Sequence, residues 1–467
     1  MTNSFFIAHR GSGDNWPEHT AYSYGQAVSV GAKAIEVSLS STSDGVLVCH
    51  HLTNTQKLTG QNWNIADRPY SDIAGLRNDA RQWLGPASPR DPIPKVKDVL
   101  DAHASKEVIF IEDKQGTNTN ALLDLLDSYP DSTEHFVWKQ SGAAKLPGAV
   151  RERGYTSWGY FTDSSDRQFE RFADTFDLLG IYHDATDDEI RRLVSFGKPV
   201  ICWEVHTRWM RQRLEHLGVR GMMCSNLLYV TSETPKSTKD SFASGLRAPG
   251  DLPWIHTWES QPVLQPESAS IRFEGDGRRS YVMGSMCPIT SGNYTLTYEL
   301  RWPTNTGAAP ELDAGIAFGQ ADDRAFRPWT PNEIGGYYLA LKPSGKLELF
   351  RQEPKIQDAL SISSVATEPP VPGEWMRFRI DVAPAAIRFA RLDGREIATV
   401  ADDTAYRGAY FSLFKSHPGG TPVEFRAVEV TSSAATPAPS AGAEGTTKPI
   451  TPPDAEQAPA AQVSAGA

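Results

Sequence analysis

Short apolar runs alternate with amphipathic stretches over the first half of the chain. Runs rich in β-branched and aromatic residues are typical of buried parallel strands, and the amphipathic stretches are typical of covering helices. The runs are residues 5–9, 34–39, 108–114, 135–140, 156–161, 177–183, 199–205 and 221–226. The helix candidates are residues 121–129, 166–176, 188–197 and 208–218. Strand and helix units in this number and order predict an α/β TIM barrel over residues 1–230.

An additional strand, VLVCHH, follows the second barrel strand. A polar stretch then continues to about residue 95. We expect this segment to be an insertion at the mouth of the barrel. In this fold the reactive groups gather at the C-terminal ends of the strands. The polar residues that fall at such ends are His9, Glu36, Glu112, Lys114, His183 and Glu204.

The pattern changes after residues 231–252, which are rich in Ser, Thr, Gly and Pro and are predicted to be a linker. The stretches NYTLTYELRW and WMRFRIDV alternate apolar and polar positions, as strands with one buried face do. No long helical pattern occurs here. Residues 253–432 are therefore predicted to form an antiparallel β-sandwich, which resembles concanavalin-like and laminin-G-like modules at the level of architecture.

The end of the chain, residues 433–467, consists mainly of Ala, Pro, Ser, Thr and Gly. Its larger aliphatic residues are Ile450 and Val463. Such a segment buries too little apolar surface to offset the entropy of ordering, so we predict a flexible tail.

Composition excludes several classes of protein. The formal net charge of −11 argues against a nucleic-acid binder and against binding to anionic membranes, because both need a basic face. No run of about 18 apolar residues is present, so no transmembrane helix is expected. The start, MTNSFFIAHRG, has no secretory signal pattern, which predicts a cytoplasmic or virion-associated protein. The dispersed cysteines predict neither a disulfide framework nor a zinc site.

The stretches predicted to meet at the barrel mouth carry three kinds of reactive group. Carboxylates bind hard cations such as Mg²⁺ or Ca²⁺, Arg and Lys bind phosphate, and imidazoles transfer protons near neutral pH. The groups are Glu36 and Glu112, Arg10 and Lys114, and His9 and His50. Together they predict metal-assisted cleavage of a phosphodiester.

The same stretches resemble the glycerophosphodiester phosphodiesterases, whose phospholipase-C-like TIM barrel is shared with the spider-venom-type sphingomyelinase D enzymes. The resemblance covers roughly residues 5–230. Its markers, in chain order, are AHRG with PEHT, IEVS with TSDGVLVCHH, IADRPYSDIAGL, IPKVKDVL, IEDK and CWEVHTRWMRQRLEHLGVRGMMCSN. The ordered series is more specific than any single motif.

The resemblance implies a role for each matched position. His9 and His50 would be the acid–base pair, Arg10 and Lys114 would bind the phosphate, Glu36 and Glu112 would bind Mg²⁺ or Ca²⁺, and Trp203 would line the substrate site. In the family's mechanism a hydroxyl next to the phosphate attacks it. One histidine takes that proton and the other protonates the leaving oxygen. His183 and His206 lie outside the matched positions and are predicted to be structural.

The chain departs from the family pattern at several polar positions. Ser38 replaces the aspartate of a Glu-x-Asp pair that binds the cation, His19 replaces the usual asparagine, and His51 stands where the family has an aspartate. Ser225 and Asn226 replace a Thr-Asp pair. The loss of one of three anionic ligands is expected to weaken cation binding, although Ser38 could still hold a metal-bound water.

Two functional hypotheses follow from this sequence. The first is a hydrolase of glycerophosphodiesters or of a polyol-phosphate wall polymer such as teichoic acid, with the sandwich holding the polymer, a wall polysaccharide or a partner. The second is a catalytically decayed barrel that serves as a binding or structural module. The sandwich and tail resemble appendages of bacteriophage tail proteins. The second hypothesis therefore includes a phage tail component that recognises the host cell wall. The pattern favours no particular oligomeric state.

Overall fold

The computed structural model describes most of the chain up to residue 432. The described ranges are residues 4–161, 169–232, 237–252, 261–274, 279–284, 293–304, 312–393, 398–401, 403–416 and 421–432. The predicted tail, residues 433–467, lies outside the described residues.

Eight parallel strands of the described chain close into a barrel. The strands of this half, which include the insertion, are β1 (Phe5–Ala8), β2 (Ala34–Ser41), β3 (Leu47–Cys49), β4 (Arg77–Asp79), β5 (Arg90–Pro92), β6 (Val108–Asp113), β7 (Phe136–Ser141), β8 (Thr156–Tyr160), β9 (Leu178–Tyr182), β10 (Val200–Val205) and β11 (Gly221–Cys224). The barrel order is β1-β11-β10-β9-β8-β7-β6-β2, and β1 pairs with β2 to close the ring. Each of the predicted runs overlaps one barrel strand, so the TIM-barrel prediction is confirmed.

Helices follow most of the barrel strands. They are α1 (Ala21–Ser29), α2 (Gln56–Thr59), α3 (Tyr70–Ile73), α4 (Arg81–Leu84), α5 (Val96–His103), α6 (Thr119–Asp127), α7 (Ser132–His135), α8 (Gly148–Glu152), α9 (Phe169–Thr175), α10 (Asp187–Val194), α11 (Arg208–His216) and α12 (Leu227–Val230). Helix α10 begins with a capping box between Thr186 and Glu189, a pairing that satisfies two backbone N–H groups. Within the described ranges, no helix has both the length and the apolar character needed to cross a membrane.

The barrel has an apolar floor beneath a polar mouth. Inside the ring lie Ile7, Ala34, Phe110, Val137, Trp158, Tyr160, Ile201 and Met223, all buried. A larger apolar cluster fills the space between the strands and the helices. Inward side chains nearer the C-terminal ends of the strands are charged, and they form the candidate site described below.

The segment after β2 is folded against the barrel as an insertion. Strand β3 pairs antiparallel with β2 and places Cys49 opposite Leu39. Strands β4 and β5 form a separate two-stranded ribbon. The insertion has a small apolar core made of Val48, Ile65, Ile73, Leu76 and Ile93.

The second half of the described chain forms two antiparallel sheets of seven strands each. The strands are β12 (Asp251–Leu252), β13 (Val263–Gln265), β14 (Ser270–Phe273), β15 (Arg279–Met283), β16 (Tyr294–Arg301), β17 (Ala314–Gly319), β18 (Gly336–Leu341), β19 (Lys346–Gln352), β20 (Leu360–Ala366), β21 (Met376–Val382), β22 (Ala386–Arg391), β23 (Ala398–Ala401), β24 (Gly408–Lys415) and β25 (Val423–Ser432). The sheet orders are β12-β15-β24-β17-β18-β19-β20 and β13-β14-β25-β16-β21-β22-β23. One apolar core contains residues from both sheets, so the sandwich prediction is confirmed.

Part of the predicted linker contacts the sandwich. Phe242–Ser244 form a short 3₁₀ helix, and Phe242 is buried in the sandwich core. Asp240 accepts a hydrogen bond of 2.7 Å from the backbone N–H of Val428. The first sandwich strand, β12, lies within the predicted linker range. The domain boundaries at residues 230 and 253 stay a prediction.

One carboxylate of the sandwich half caps a barrel helix. Asp323, between β17 and β18, accepts hydrogen bonds from the backbone N–H groups of Arg208 (2.7 Å) and Trp209 (3.0 Å), in the first turn of α11. It also accepts one of 3.0 Å from the Tyr229 hydroxyl. A carboxylate suits this position because the first N–H groups of a helix have no partner within the helix.

Asp323→Ala is expected to lower the free energy of unfolding by about 2 kcal/mol, because it leaves buried donors without an acceptor. Urea unfolding followed by circular dichroism measures the change. Asp358→Ala, at an exposed position of the same half, is the control and should leave stability unaltered. Equal effects of the two substitutions would contradict the capping role.

Candidate active site

Adjacent inward positions of three barrel strands bring together a charged layer at the mouth. Ser38 of β2 is in register with Glu112 of β6. Because Ile111 is in register with Trp138, the next residues, Glu112 and Lys139, also lie side by side. Residues in register on parallel strands face the same side of the sheet, so all three side chains enter the barrel.

The Lys139 ammonium lies between two buried carboxylates. Its Nζ is 2.6 Å from Oε1 of Glu36 and 2.8 Å from Oε2 of Glu112. The exposed fraction is 5% for the Lys139 side chain and 0% for Glu36. Buried charges are stable only when they are paired, and this contact pairs both acids through one cation.

The pKa values of this cluster follow from its charges. Burial raises the pKa of Glu36, but Lys139 and His9 outweigh it and hold that pKa well below the usual value. Burial lowers the pKa of Lys139, but Glu112 and Glu36 outweigh it and raise that pKa. The pKa of Glu112 is lowered, against the effect of burial, by Lys139 and Lys114. The cluster therefore stays ionised around neutral pH.

Both acids also receive contacts from groups other than Lys139. Glu36 accepts hydrogen bonds from the Ser38 hydroxyl (2.8 Å) and from the backbone N–H of Arg10 (3.0 Å). Glu112 is 2.9 Å from Nζ of Lys114 and accepts a hydrogen bond from the hydroxyl of Tyr160. Every oxygen of the two predicted metal ligands thus already has a donor or a cation.

His9 is held at the first strand end with one ring nitrogen occupied. Its Nδ1 lies 2.9 Å from Oγ of Ser225, whose hydroxyl donates to Glu204 at 3.3 Å. The serine oxygen therefore accepts from Nδ1–H, which leaves Nε2 of His9 as an unprotonated acceptor. Burial lowers the pKa of His9 to about 4, so the ring is neutral at neutral pH.

The turn after His9 positions Arg10. Gly11 has a φ of +80°, and a Cβ at this residue would lie 2.4 Å from Oγ of Ser23, so only glycine fits here. The Arg10 guanidinium is 3.1 Å from Oε2 of Glu18 and 4.0 Å from Oε1 of Glu204. Arg10 therefore lies among carboxylates near His9.

The two adjacent histidines of the insertion have different surroundings. His50 is fully buried, and its Nε2 lies 3.4 Å from the carbonyl oxygen of Asn54. Nδ1 of His50 has no hydrogen-bond partner among the described residues. His51 lies 3.4 Å through Nδ1 from the Ser38 hydroxyl, and its ring stacks on that of His19 at 6.4 Å.

Aromatic rings line the mouth beside Lys114. Trp203 is half-buried, with its ring centroid 5.3 Å from that of Tyr160 and 4.8 Å from that of Tyr182. Nζ of Lys114 lies 5.7 Å from the Tyr160 ring. The predicted phosphate-binding lysine and the predicted substrate wall therefore contact the same tyrosine.

Sequence reasoning missed a second charged cluster at the mouth. His206 lies 2.8 Å through Nδ1 from Asp14 and 3.4 Å through Nε2 from Glu204. Burial lowers the pKa of His206, but Asp14 and Glu204 outweigh it and raise that pKa to about 10. His206 is therefore a cation that fixes Glu204 beside His9 and Arg10. The sequence signal that could have placed His206 at the mouth was its position two residues after Glu204, just past the end of β10.

Sequence reasoning also missed Lys139, which lies two residues after the inward Val137 on β7 and therefore on the same face of the strand. This spacing was the signal that could have placed it in the barrel. Across the described residues, no group of three or more His, Cys, Asp or Glu side chains is arranged to hold a metal ion. The position between the predicted metal ligands, Glu36 and Glu112, instead holds an ammonium group, so the donor set fits a lysine better than a divalent cation.

Comparison with known proteins agrees with the motifs. Residues 9–139 match the profile of the glycerophosphoryl diester phosphodiesterase family. The predicted family resemblance is confirmed. The chain is 31% identical over 158 residues to a glycerophosphodiester phosphodiesterase of Bacillus subtilis, a match that covers 31% of this chain and 50% of that protein. It is 27% identical over 127 residues to human glycerophosphodiester phosphodiesterase 1, covering 27% of this chain and 38% of that protein.

Solved structures with glycerophosphodiester phosphodiesterase or phosphodiesterase names also align with part of the chain. A glycerophosphodiester phosphodiesterase of Thermotoga maritima aligns with a TM-score of 0.40 and 16% identity, over 48% of this chain and 96% of that chain. A phosphodiesterase of Oleispira antarctica, solved with the product sn-glycerol-3-phosphate, aligns with a TM-score of 0.40 and 15% identity, over 47% of this chain and 92% of that chain. The chain spans half or less of the length of the two relatives named above.

His206→Gln is expected to destabilise the protein in a pH-dependent way, by about 3 kcal/mol at most, because it unpairs Asp14 and Glu204. A pKa raised in the folded state adds stability that is complete below the ordinary histidine value of 6.5 and is lost as the pH rises through about 10. The acid partners have lowered pKa values and lose their contribution as the pH falls below the ordinary values of 4.5 for Glu204 and 3.8 for Asp14. The difference between wild type and variant should therefore be largest between these ordinary values.

Urea unfolding over this pH range measures the difference. The exposed His216→Gln is the matched control and should show no such profile. A His206→Gln difference that does not vary with pH would show that the histidine contributes by packing alone.

Proposed function

We propose that the barrel hydrolyses phosphodiesters by histidine acid–base catalysis, with glycerophosphodiesters or a polyol-phosphate wall polymer as the substrate class. The observation that carries this proposal is the state of His9. Ser225 holds its Nδ1, so Nε2 is left unprotonated, and burial together with the charge of the nearby Arg10 lowers the pKa of the ring. A neutral, oriented imidazole next to a cation is what proton transfer at a phosphate ester requires.

In this proposal Arg10 and Lys114 bind the phosphate, as the family motifs imply. Lys114 is 16% exposed, and its ammonium lies between Glu112 and the ring of Tyr160, where an anionic substrate can reach it. Trp203 would then contact the alcohol part of the substrate. Charge-assisted contacts from Arg and Lys are the stronger class of hydrogen bond to phosphate oxygens.

Proton transfer is assigned to His9 and His50. His9 would take the proton of the substrate hydroxyl that attacks phosphorus, and His50 would protonate the leaving alcohol oxygen, which leaves a cyclic phosphate. Water would then open the ring, with His50 taking a proton from the water and His9 returning one to the ring oxygen that leaves phosphorus. Burial lowers the pKa of His50 to about 4, and a bound phosphate would raise it, since a nearby anion favours the imidazolium. The unpartnered Nδ1 of His50 supports this assignment.

The family typically uses a divalent cation, and the motifs assign it here to Glu36 and Glu112. If bound, that cation would supply a positive charge to the phosphate. Because Lys139 already supplies a charge between these acids, no step of the proposed reaction is routed through a metal.

One contact favours a second candidate function, a barrel that binds phosphodiesters without turnover. Ser38 and His51 stand at two positions that depart from the family pattern, and they lie 3.4 Å apart. In that case the protein would act as a binding module, and a phage tail component that recognises the host cell wall is the form we propose for it. Co-purification with phage tails tests this form, and presence in host cytosol alone would contradict it.

His9→Ala and His50→Ala are each expected to lower kcat about 100-fold or more, because each removes a proton-transfer group. The assay measures release of alcohol or phosphomonoester from glycerophosphocholine, glycerophosphoglycerol and poly(glycerol phosphate), with and without Mg²⁺ or Ca²⁺. His216→Ala, at an exposed position, is the control and should keep wild-type rates.

His51→Ala distinguishes the two adjacent histidines. A large loss in His51→Ala with wild-type rates in His50→Ala would transfer the second role to His51. Full activity in both His9→Ala and His50→Ala would refute the proposed mechanism. A wild type that binds these substrates without cleaving any of them would support the binding module instead.

A further inference from the structure

The strongest unexplained feature of the barrel is the position of Lys139. Its Nζ lies within 2.8 Å of a carboxylate oxygen on each of Glu36 and Glu112. These are the residues to which the family motifs assign a divalent cation. A lysine side chain from the neighbouring strand therefore occupies the place of that cation.

The ammonium is enclosed on its other sides. It lies 5.7 Å from the Trp158 ring and 5.2 Å from the Tyr160 ring, distances at which an aromatic face attracts a cation. The Lys139 side chain is 5% exposed. A second cation between the same two acids would have to displace it against these contacts.

The residue at the family's third ligand position also fits an ammonium group between the two acids better than a metal ion. Ser38 stands where the family has an aspartate, and its hydroxyl donates to Oε1 of Glu36, the oxygen that also contacts Lys139. Two carboxylates around one ammonium leave a net charge of minus one. Three carboxylates around a divalent ion would leave the same charge, so the exchange of aspartate for serine matches the exchange of metal for lysine.

We propose that Lys139 is a built-in cation that replaces the divalent ion, so that this barrel handles phosphodiesters without a metal. This inference rests on the proposed function for its catalytic part, but its metal-binding part does not. Lys139 acts as a positioning residue. Its charge cancels part of the repulsion between Glu36, Glu112 and an anionic phosphate, and it holds Glu36 where that acid accepts the backbone N–H of Arg10.

The direct test is metal binding by the full-length protein, measured by titration with Mn²⁺ and electron paramagnetic resonance. Wild type is expected to bind no stoichiometric Mn²⁺ at this site. The double variant Ser38→Asp/Lys139→Met restores a third carboxylate and removes the ammonium, so it is expected to bind one Mn²⁺. Stoichiometric binding by wild type that Lys139→Met leaves unchanged would overturn the inference.

The catalytic test uses the phosphodiester assay with EDTA or with added Mg²⁺. Wild-type activity is expected to be the same in both. Lys139→Met is expected to lose activity on the order of 100-fold, mostly in KM for the anionic substrate, because the positive charge next to the phosphate site is gone. Lys139→Arg should recover part of that loss, and the exposed Lys106→Met is the control.

The two parts of the test separate the possible failures. Wild-type activity that EDTA abolishes and Mg²⁺ restores would overturn the replacement while the proposed hydrolase stands. Absence of activity in every condition, together with absence of Mn²⁺ binding, would refute the hydrolase and keep the lysine in the cation position. If Lys139→Met does not fold, as its circular dichroism would show, the wild-type titration still decides the outcome.

Discussion

The ion cluster of Lys139, Glu36 and Glu112 is the interaction on which the barrel mouth depends. The two acids are buried, and an unpaired buried carboxylate would cost several kcal/mol. One ammonium satisfies both, and this leaves Glu36 able to accept the backbone N–H of Arg10 and so to fix the turn that carries His9 and Arg10. His9, proposed as the proton-transfer group, Arg10, proposed as the phosphate-binding cation, and the strand ends are therefore held by one set of charges.

Because the histidines at the mouth are buried, their neighbouring charges decide whether each ring is protonated. His9 and His206 are both buried histidines near Glu204, but their pKa values shift in opposite directions. His206 has Asp14 on its other side and stays protonated, whereas burial, together with the nearby Arg10, keeps His9 neutral. The same imidazole side chain is thus a fixed cation at one position and a neutral ring at the other.

The sequence predicted the architecture well because the architecture depends on local patterns. Apolar runs gave the barrel strands, and alternation along NYTLTYELRW gave a sandwich strand, since burial on one or two faces determines those patterns. The site was predicted less completely. Lys139 carries no motif, and its partner Glu36 is distant in sequence, so only the register of β2, β6 and β7 brings them together. Asp323 gave no signal, because its acceptor role depends on a contact between the two halves.

The cap that Asp323 provides for α11 also bears on how the protein is made. The N–H groups of Arg208 and Trp209 find their acceptor 115 and 114 positions later in the chain. At a synthesis rate of about 5–20 residues per second, these two residues are synthesised roughly 6–23 s before that acceptor. During this interval the helix after β10, the strand that carries Glu204, starts with open N–H groups. The carboxylate cap of α11 therefore forms only after the chain has been translated through Asp323.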